Sequence, residues 1–217
     1  MNKRKRILVV DDHPLVRSGL CNAIAETPDL EVCGEAEGWH EALQKTLTAS
    51  PDLIVLDLNL KDGSGWSLIE QLQSQGEMRP VLVLSVCDEQ VYAQRLLKAG
   101  VRGYIMKDVP IVYVLDGIRK ILSGQFALSE VMTALMLENA TSPNPPVSSI
   151  EQLSSRELQV YAMLGRGLSS RAIADNIGVS HKTIATYKVR LMGKLGLRTT
   201  PELMSHAQRI LDLSVGK

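Results

Sequence analysis

The sequence predicts an α/β protein: five strands alternating with five helices around a parallel sheet, then a smaller all-α unit of four helices. Three observations carry this. Through the first 122 residues, short apolar runs recur between amphipathic stretches of helical length, the pattern of βα units with right-handed crossovers. The segment "NATSPNPPVSS" at 139–149 then interrupts with three prolines among Ser, Thr and Asn. Beyond it, helix caps and glycines follow one another without a strand-like run.

The expected strands are 6–11, 31–36, 52–57, 80–85 and 102–106, and the expected helices are 14–27, 39–49, 65–74, 89–98 and 110–122. Near-continuous apolar strands such as "LIVLDL" suit a sheet covered on both faces. The Pro-rich stretch cannot bury enough to fold and reads as an extended linker at about 139–151. The division is therefore 1–124, a helical extension and linker over 125–151, and 152–217. In the last part Ser154 and Glu157 form a capping box ahead of "LQVYAMLGRG", which Gly167 stops. Ser169 caps "SRAIADNI", Gly178 makes the turn, and Ser180 caps "HKTIATYKVRLMGKL" up to Gly196. Thr200 and Pro201 start the last helix.

Composition bounds the function. The 217 residues suffice for one large domain or two ordinary ones, and 45% hydrophobic content with a single Phe means aliphatic cores. No apolar run approaches the ~18 residues of a membrane span. "NKRKR" precedes only four apolar residues, so it is not a signal peptide. No membrane partner is expected, and the compartment is the cytoplasm. Cys21, Cys33 and Cys87 share no metal-ligand spacing and read as reduced thiols. The four histidines lack paired spacing; His13 sits beside the acidic cluster, where a role is conceivable, but a helix-start residue facing water is the preferred reading. The net charge of zero hides an asymmetry: residues 1–140 hold 14 basic and 19 acidic side chains (−5), residues 141–217 hold 10 and 5 (+5). The basic part is the candidate for nucleic acid.

Asp11 and Asp12 end the first strand, Asp57 the third and Ser85 the fourth, while Lys107 follows the fifth. In open α/β sheets ligands bind outside the carboxyl ends of the strands, so one pocket can collect all five side chains. Such an oxygen-rich cluster suits Mg²⁺, which keeps several waters and takes few protein ligands. Without a cation, three crowded carboxylates repel and some take up protons.

Asp11–Asp12 in "VVDDHPLVRSGL", Asp57 in "DLIVLDLNLKDGSG", Ser85 in "LVLS" and Lys107 in "AGVRGYIMKD" resemble the receiver domain of two-component response regulators over about 6–122. The resemblance implies a flavodoxin-like (βα)5 fold in which Asp57 accepts a phosphoryl group from a sensor histidine kinase. It implies Asp12, Asp57 and the backbone carbonyl of Asn59 as Mg²⁺ ligands, with Asp11 acting through a metal-bound water. Lys107 and Ser85 would meet phosphoryl oxygens. Tyr104 would turn inward when Ser85 moves, although a half-buried tyrosine with no switching part remains the other reading. The chain departs from the family at Lys61, where many members have Pro. Asp62–Gly63 can still make the turn, and the stiffness of that loop is what the change puts in question.

A helix, a Gly-containing turn and a longer basic helix make a helix-turn-helix pattern. Arg156–Glu157, Gly167, Ile173–Ala174, Val179–Ser180, Lys182–Thr183–Ile184 and Lys194–Leu195 resemble the LuxR-type output domain over about 150–213. On the third helix Ile184, Leu191 and Leu195 are expected in the core, leaving Lys182, Ala185, Thr186 and Val189 towards the major groove. Thr183 is counted with them as part of the matched triplet. Lys188, Arg190 and Lys194 are expected on phosphates, which position without specifying. The two resemblances together imply a response regulator of the NarL/FixJ type that binds promoter DNA as a homodimer. Dimer contacts would use the last helix of the output domain and the first and fifth helices of the receiver. Its chemistry would stop at its own phosphorylation and slow autodephosphorylation. A second reading keeps the DNA binding but makes it independent of phosphorylation. A phosphatase-like enzyme would need an acid/base carboxylate where this chain has Asn59.

Overall fold

The computed structural model describes residues 3–85, 92, 95–96, 98–130, 132–134 and 149–212. They fall into two compact units, each taken by itself below.

The first unit contains β1 (Lys5–Val10), α1 (Pro14–Ala25), β2 (Leu30–Ala36), α2 (Trp39–Ala49), β3 (Leu53–Leu56) and a small hairpin of β4 (Asn59–Leu60) and β5 (Gly63–Ser64). It continues with α3 (Gly65–Ser74), β6 (Val81–Ser85), β7 (Gly103–Met106) and α4 (Ile111–Leu122). The sheet runs β2-β1-β3-β6-β7 with every neighbouring pair parallel. This is a flavodoxin-like order in which β1 is flanked by β2 and β3, so the strand order reverses between them and the carboxyl ends of β1 and β3 border a crevice. Strand residues Ile7–Val10, Leu53–Leu56 and Val81–Leu84 are buried on both faces, as a helix-covered parallel sheet requires. Ile7, Ile24, Leu53, Leu82 and Ile118 are fully buried in the shared core.

Strand and helix bounds agree with the sequence expectation to within two residues where both are described. Of the expected helix 89–98, only Tyr92, Arg95, Leu96 and Lys98 lie within the described residues, all helical. Two features were not expected. One is the β4–β5 hairpin, too short to show any periodicity. The other is Ala127, whose N–H donates to the Arg102 carbonyl at 3.0 Å and whose carbonyl accepts from Tyr104 N–H at 2.9 Å, so the chain beyond residue 124 still packs against β7.

The second unit contains a 3-10 turn (Ser149–Gln152), α5 (Ser155–Gly165), α6 (Ser170–Ile177), α7 (His181–Leu195) and α8 (Thr200–Asp212). The expected linker over 139–148 lies outside the described residues. The helix ends follow side-chain chemistry. Ser154 and Glu157 form a complete capping box, Ser169 and Ser180 each accept a backbone N–H, and Gly178 and Gly196 close their helices in the left-handed conformation. The last helix is capped one residue earlier than expected, by the Thr199 hydroxyl, which accepts from Glu202 N–H at 3.3 Å. No described helix is long and apolar enough to cross a membrane.

Candidate functional site

Backbone pairing sets the first site before any side chain acts. Asp11 N–H donates to Ala36 carbonyl (3.1 Å), Asp57 N–H to Val10 carbonyl (2.8 Å) and Lys107 N–H to Ser85 carbonyl (3.0 Å). These bonds hold the end of β1 against β2, the end of β3 against β1 and the end of β7 against β6. Close approach does the rest at Gly65, where a Cβ would sit 2.1 Å from the Asp57 carbonyl oxygen, so only glycine lets α3 start there.

Asp11, Asp12 and Asp57 are 3%, 8% and 2% exposed. Lys107 Nζ bridges Asp11 Oδ2 and Asp57 Oδ2, each at 2.6 Å. Asp57 Oδ1 accepts Asn59 N–H at 3.0 Å. Burial is the dominant influence on Asp57 and lifts its pKa from 3.8 to about 6, despite the opposing pull of Lys107. Burial also works against the Lys107 charge, but the Asp57 and Asp11 carboxylates outweigh it and hold that ammonium above its ordinary pKa. Ser85 and Tyr104 are buried beside this edge of the sheet, at 0% and 2% exposure.

A divalent cation fits this pocket by two observations. Asp11, Asp12, His13 and Asp57 place one ligand atom each within 4.8 Å of one another. Asp12 Oδ1 is buried and makes no hydrogen bond. Buried polar atoms are almost always partnered, and this oxygen has, among the described residues, only the His13 ring nitrogen beside it, at 2.8 Å, which leaves it room to take a cation.

Three supporting residues have partners that the sequence did not give. Arg17 on α1 donates to the Asp11 carbonyl at 2.6 Å and pairs with Glu35 and Glu37, anchoring the acidic pair from behind. Asp62 accepts the N–H groups of Trp39 (3.1 Å) and His40 (3.4 Å), capping α2 from the loop that follows Asp57. That answers the question raised by Lys61: the hairpin turn is tied down by a carboxylate rather than stiffened by proline. His13, expected to face water, has a 63% exposed side chain but turns Nδ1 to within 2.8 Å of Asp12 Oδ1. Of the cysteines, Cys21 and Cys33 are free and half-buried, and burial pushes the Cys21 thiol up to about 12; Cys87 lies outside the described residues.

The second site is α7. Ile184 and Leu191 are fully buried and Leu195 partly so, while Lys182, Ala185, Thr186, Val189 and Arg190 are exposed. Ser180, Lys182, Thr183, Thr186, Tyr187 and Arg190 line an open depression on this helix. Thr183 is partly engaged in the cap, its N–H and hydroxyl both meeting the Ser180 hydroxyl. Two expected phosphate-contacting lysines are engaged inside the unit: Lys188 donates to Ser170 Oγ at 2.6 Å, and Lys194 to Glu157 Oε2 at 2.6 Å and the Gln152 carbonyl at 3.1 Å. Glu157 is 3% exposed, so Lys194 compensates a buried carboxylate that already serves the capping box.

A five-stranded parallel sheet with three acids at its switch point, followed by a four-helix unit with an exposed basic helix, defines the class: a doubly wound α/β module with an acidic pocket and a helix-turn-helix module. The family comparison is specific. Residues 7–119 match the response regulator receiver domain, and residues 151–207 match the bacterial regulatory proteins of the luxR family. The chain is 31% identical over 92% of its length to a nitrate/nitrite response regulator protein homolog of Haemophilus influenzae, covering 94% of that protein. It is 31% identical to the response regulator GacA of Pseudomonas viridiflava over 94% of this chain and 95% of that one. Its fold is similar to RcsB from Salmonella enterica serovar Typhimurium bound to promoter P1flhDC in the presence of phosphomimetic BeF3−, with TM-score 0.61, 20% identity and coverage of 94% and 98%. The chain belongs to the two-component response regulators of the NarL/FixJ type, with a receiver and a LuxR-type DNA-binding domain.

Proposed function

We propose that Asp57 is the phospho-acceptor of this regulator and that a sensor histidine kinase supplies the phosphoryl group. The observation that carries this is the Asp57 carboxylate, buried at the switch point and held by Lys107 Nζ at 2.6 Å. An Asp57 oxygen attacks phosphorus, the bond from phosphorus to the kinase imidazole breaks, and the imidazole keeps the electron pair. Burial makes this carboxylate more basic than usual, yet a pKa of about 6 leaves it ionised at neutral pH. Lys107 then shifts its charge to a phosphoryl oxygen, and the Ser85 hydroxyl donates to another. Tyr104 occupies the space that Ser85 leaves as it moves. Mg²⁺ would be held by Asp12, Asp57 and the Asn59 backbone carbonyl, with Asp11 acting through water; bound there, it neutralises charge on the transferring group.

The output reading gives Lys182, Ala185, Thr186 and Val189 to base edges, and Arg190 to phosphates with help from Thr183, Lys188 and Lys194. The relative's complex with promoter DNA supports double-stranded DNA as the partner. A homodimer on DNA is supported by exposed apolar side chains on α1 (Leu15, 89%) and α4 (Val112, 60%; Tyr113, 61%). The protein acts in the cytoplasm, and the receiver turns over nothing but its own aspartyl phosphate. No observation favours phosphorylation-independent binding, since the acids, Ser85 and Lys107 are all in place. Treatment with a small phosphodonor and Mg²⁺ is expected to give one acid-labile and base-labile phosphoryl group on the wild type and none on Asp57→Asn. Full labelling of Asp57→Asn would remove the assignment.

A further inference from the structure

We infer that Asp62 is a positioning residue for the phosphoryl chemistry of Asp57: by capping α2 from the loop after Asp57, it keeps the Asn59 N–H on Asp57 Oδ1 and so speeds release of the phosphoryl group. This rests on the reading of Asp57 as the phospho-acceptor and extends it to how long the modification lasts.

The first ground is a helix start that lacks its own cap. Gly38 occupies the cap position of α2 and has no side chain to offer. The Asp62 carboxylate takes that place from the loop: Oδ1 accepts Trp39 N–H at 3.1 Å and Oδ2 accepts His40 N–H at 3.4 Å. Its charge lies where the helix dipole favours an anion. His40 Nδ1 also stands 3.2 Å from Oδ2. The packing is close. A Cβ at Gly38 would stand 2.3 Å from Asp62 Oδ2, and one at Gly63 would stand 2.8 Å from Trp39 Nε1.

The second ground is what the same loop holds at its other end. Asp62 sits in the turn between β4 and β5, where Asn59 pairs with Ser64 and Leu60 with Gly63. Leu58 and Leu60 are buried, and the Leu58 carbonyl accepts Gly65 N–H at 3.0 Å. Asn59 N–H donates to Asp57 Oδ1 at 3.0 Å, while Lys107 holds Oδ2. A phosphoryl group that draws Lys107 to itself sits on Oδ2, which leaves Oδ1 as the carbonyl oxygen of the acyl phosphate, still facing Asn59. In hydrolysis a water oxygen attacks phosphorus, the bond from phosphorus to Oδ2 breaks, and Asp57 keeps the electron pair as a carboxylate. The water proton leaves with inorganic phosphate. Negative charge grows on Oδ1 in that step, so a fixed N–H donor lowers its barrier. A short turn without proline holds such a donor only as firmly as its tip is anchored, and Asp62 is the anchor.

The test labels the full chain with acetyl phosphate and Mg²⁺, removes the donor, and follows loss of the phosphoryl group by intact mass in the wild type, Asp62→Ala, Asp62→Asn and Gly38→Ala. Amide hydrogen exchange at Asn59 is read by NMR on the same proteins, and a thermal melt confirms that each folds. Asp62→Ala is expected to release the group about three- to tenfold more slowly, the effect of weakening one hydrogen bond to a charged group, with faster exchange at Asn59. Asp62→Asn keeps an acceptor oxygen for the helix and should stay near wild type. Gly38 has an extended backbone (φ −146°, ψ 164°) that alanine also adopts, so Gly38→Ala acts by displacing the Asp62 carboxylate. Its effect should match that of Asp62→Ala and add little to it in the double variant. Unchanged or faster release in Asp62→Ala overturns the inference; faster release is what a pocket merely loosened to water would show. Slower release with Asn59 protection unchanged overturns it too, as does full additivity with Gly38→Ala. If the wild type takes no label, or Asp57→Asn takes as much, the reading of Asp57 fails and this one falls with it.

Discussion

The receiver and the output domain hold their working charges in opposite ways. In the receiver, three carboxylates are nearly water-free at a sheet edge, relieved by one ammonium that is itself 9% exposed. Its chemistry is stored as an unfavourable arrangement that a cation or phosphoryl group relaxes. In the output domain the helix ends are satisfied by Ser154, Ser169 and Ser180, the core positions of α7 are apolar, and the uncommitted cations Lys182 and Arg190 stand in solvent. There the buried Glu157 carboxylate is already paired with Lys194, and binding energy comes from charge left over. Changes in the receiver site should therefore move folding stability, whereas changes to the exposed side of α7 should move only DNA binding.

Lys107→Met is the largest break. It leaves Asp57 and Asp11 buried without their shared partner, and loss of one member of a buried pair costs several kcal/mol. A loss of about 3 kcal/mol at pH 7 in metal-free protein is expected by denaturant titration, shrinking in acid as Asp57 takes up a proton. Adding Asp57→Asn to Lys107→Met should recover much of it. A Lys107→Met protein as stable as wild type would show that the pocket is wetter than its burial implies.

Asp57→Asn should have the opposite sign. The folded-state pKa of about 6 lies above the ordinary 3.8, so the folded protein keeps this proton longer than the unfolded chain does. Stability tied to that proton is full below about pH 4 and is lost as pH rises through about 6. An amide is uncharged at every pH, so the variant should gain up to about 3 kcal/mol over wild type at pH 7, less whatever the lost contacts to Lys107 and Asn59 return, and nothing at pH 4. Excess Mg²⁺ should narrow the gap by stabilising only the wild type. A destabilised Asp57→Asn would mean that Lys107 and Asn59 more than offset the burial of the carboxylate.

Why one site was legible and the other only partly so follows from the same contrast. Acids at strand ends are visible because strands are short, apolar and bounded, so Asp12, Asp57, Ser85 and Lys107 could be placed at one edge from order alone. Helical phase correctly put Ile184 and Leu191 inside and Ala185 and Val189 outside. Phase reports exposure, however, and not which partner a long side chain finds. Lys188 reaching Ser170 and Lys194 reaching Glu157 depend on how α7 packs against α6 and α5, which no local pattern encodes. The partners of Arg17 and Asp62 were missed for a related reason. Arg17 and Asp62 each act across a chain reversal, whereas His13 meets the two acids just before it, and its place beside them was the signal.

Arg190→Ala tests the exposed side of the comparison. Its guanidinium has no partner among the described residues, so removing it should leave folding stability unchanged. DNA affinity should fall by roughly tenfold at low salt, as expected for one charge-assisted hydrogen bond. The slope of log affinity against log salt should flatten by about 0.9, equally for all sequences. Lys194→Ala should differ in kind, because it strips the partner from buried Glu157 and so lowers stability. If Arg190→Ala and Lys194→Ala had the same profile, the division between committed and uncommitted cations would be wrong.

Thr186→Ala is the smallest effect and the sharpest. Thr186 is exposed on α7, and its hydroxyl donates back to the Lys182 carbonyl at 3.2 Å, which leaves an oxygen lone pair and a methyl group towards solvent. Alanine has higher helix propensity, so the unbound protein should be as stable or slightly more so. Removing a side chain that reads one base edge should change the preference among sites by something on the order of 1 kcal/mol, with no change in salt slope. Competition binding across single-base variants of a selected site would read this out. If site ranking stayed fixed in Thr186→Ala but re-ordered in Arg190→Ala, the groove-facing side of α7 would be the one that carries Arg190. Sequence specificity would then rest on a charge that salt can screen.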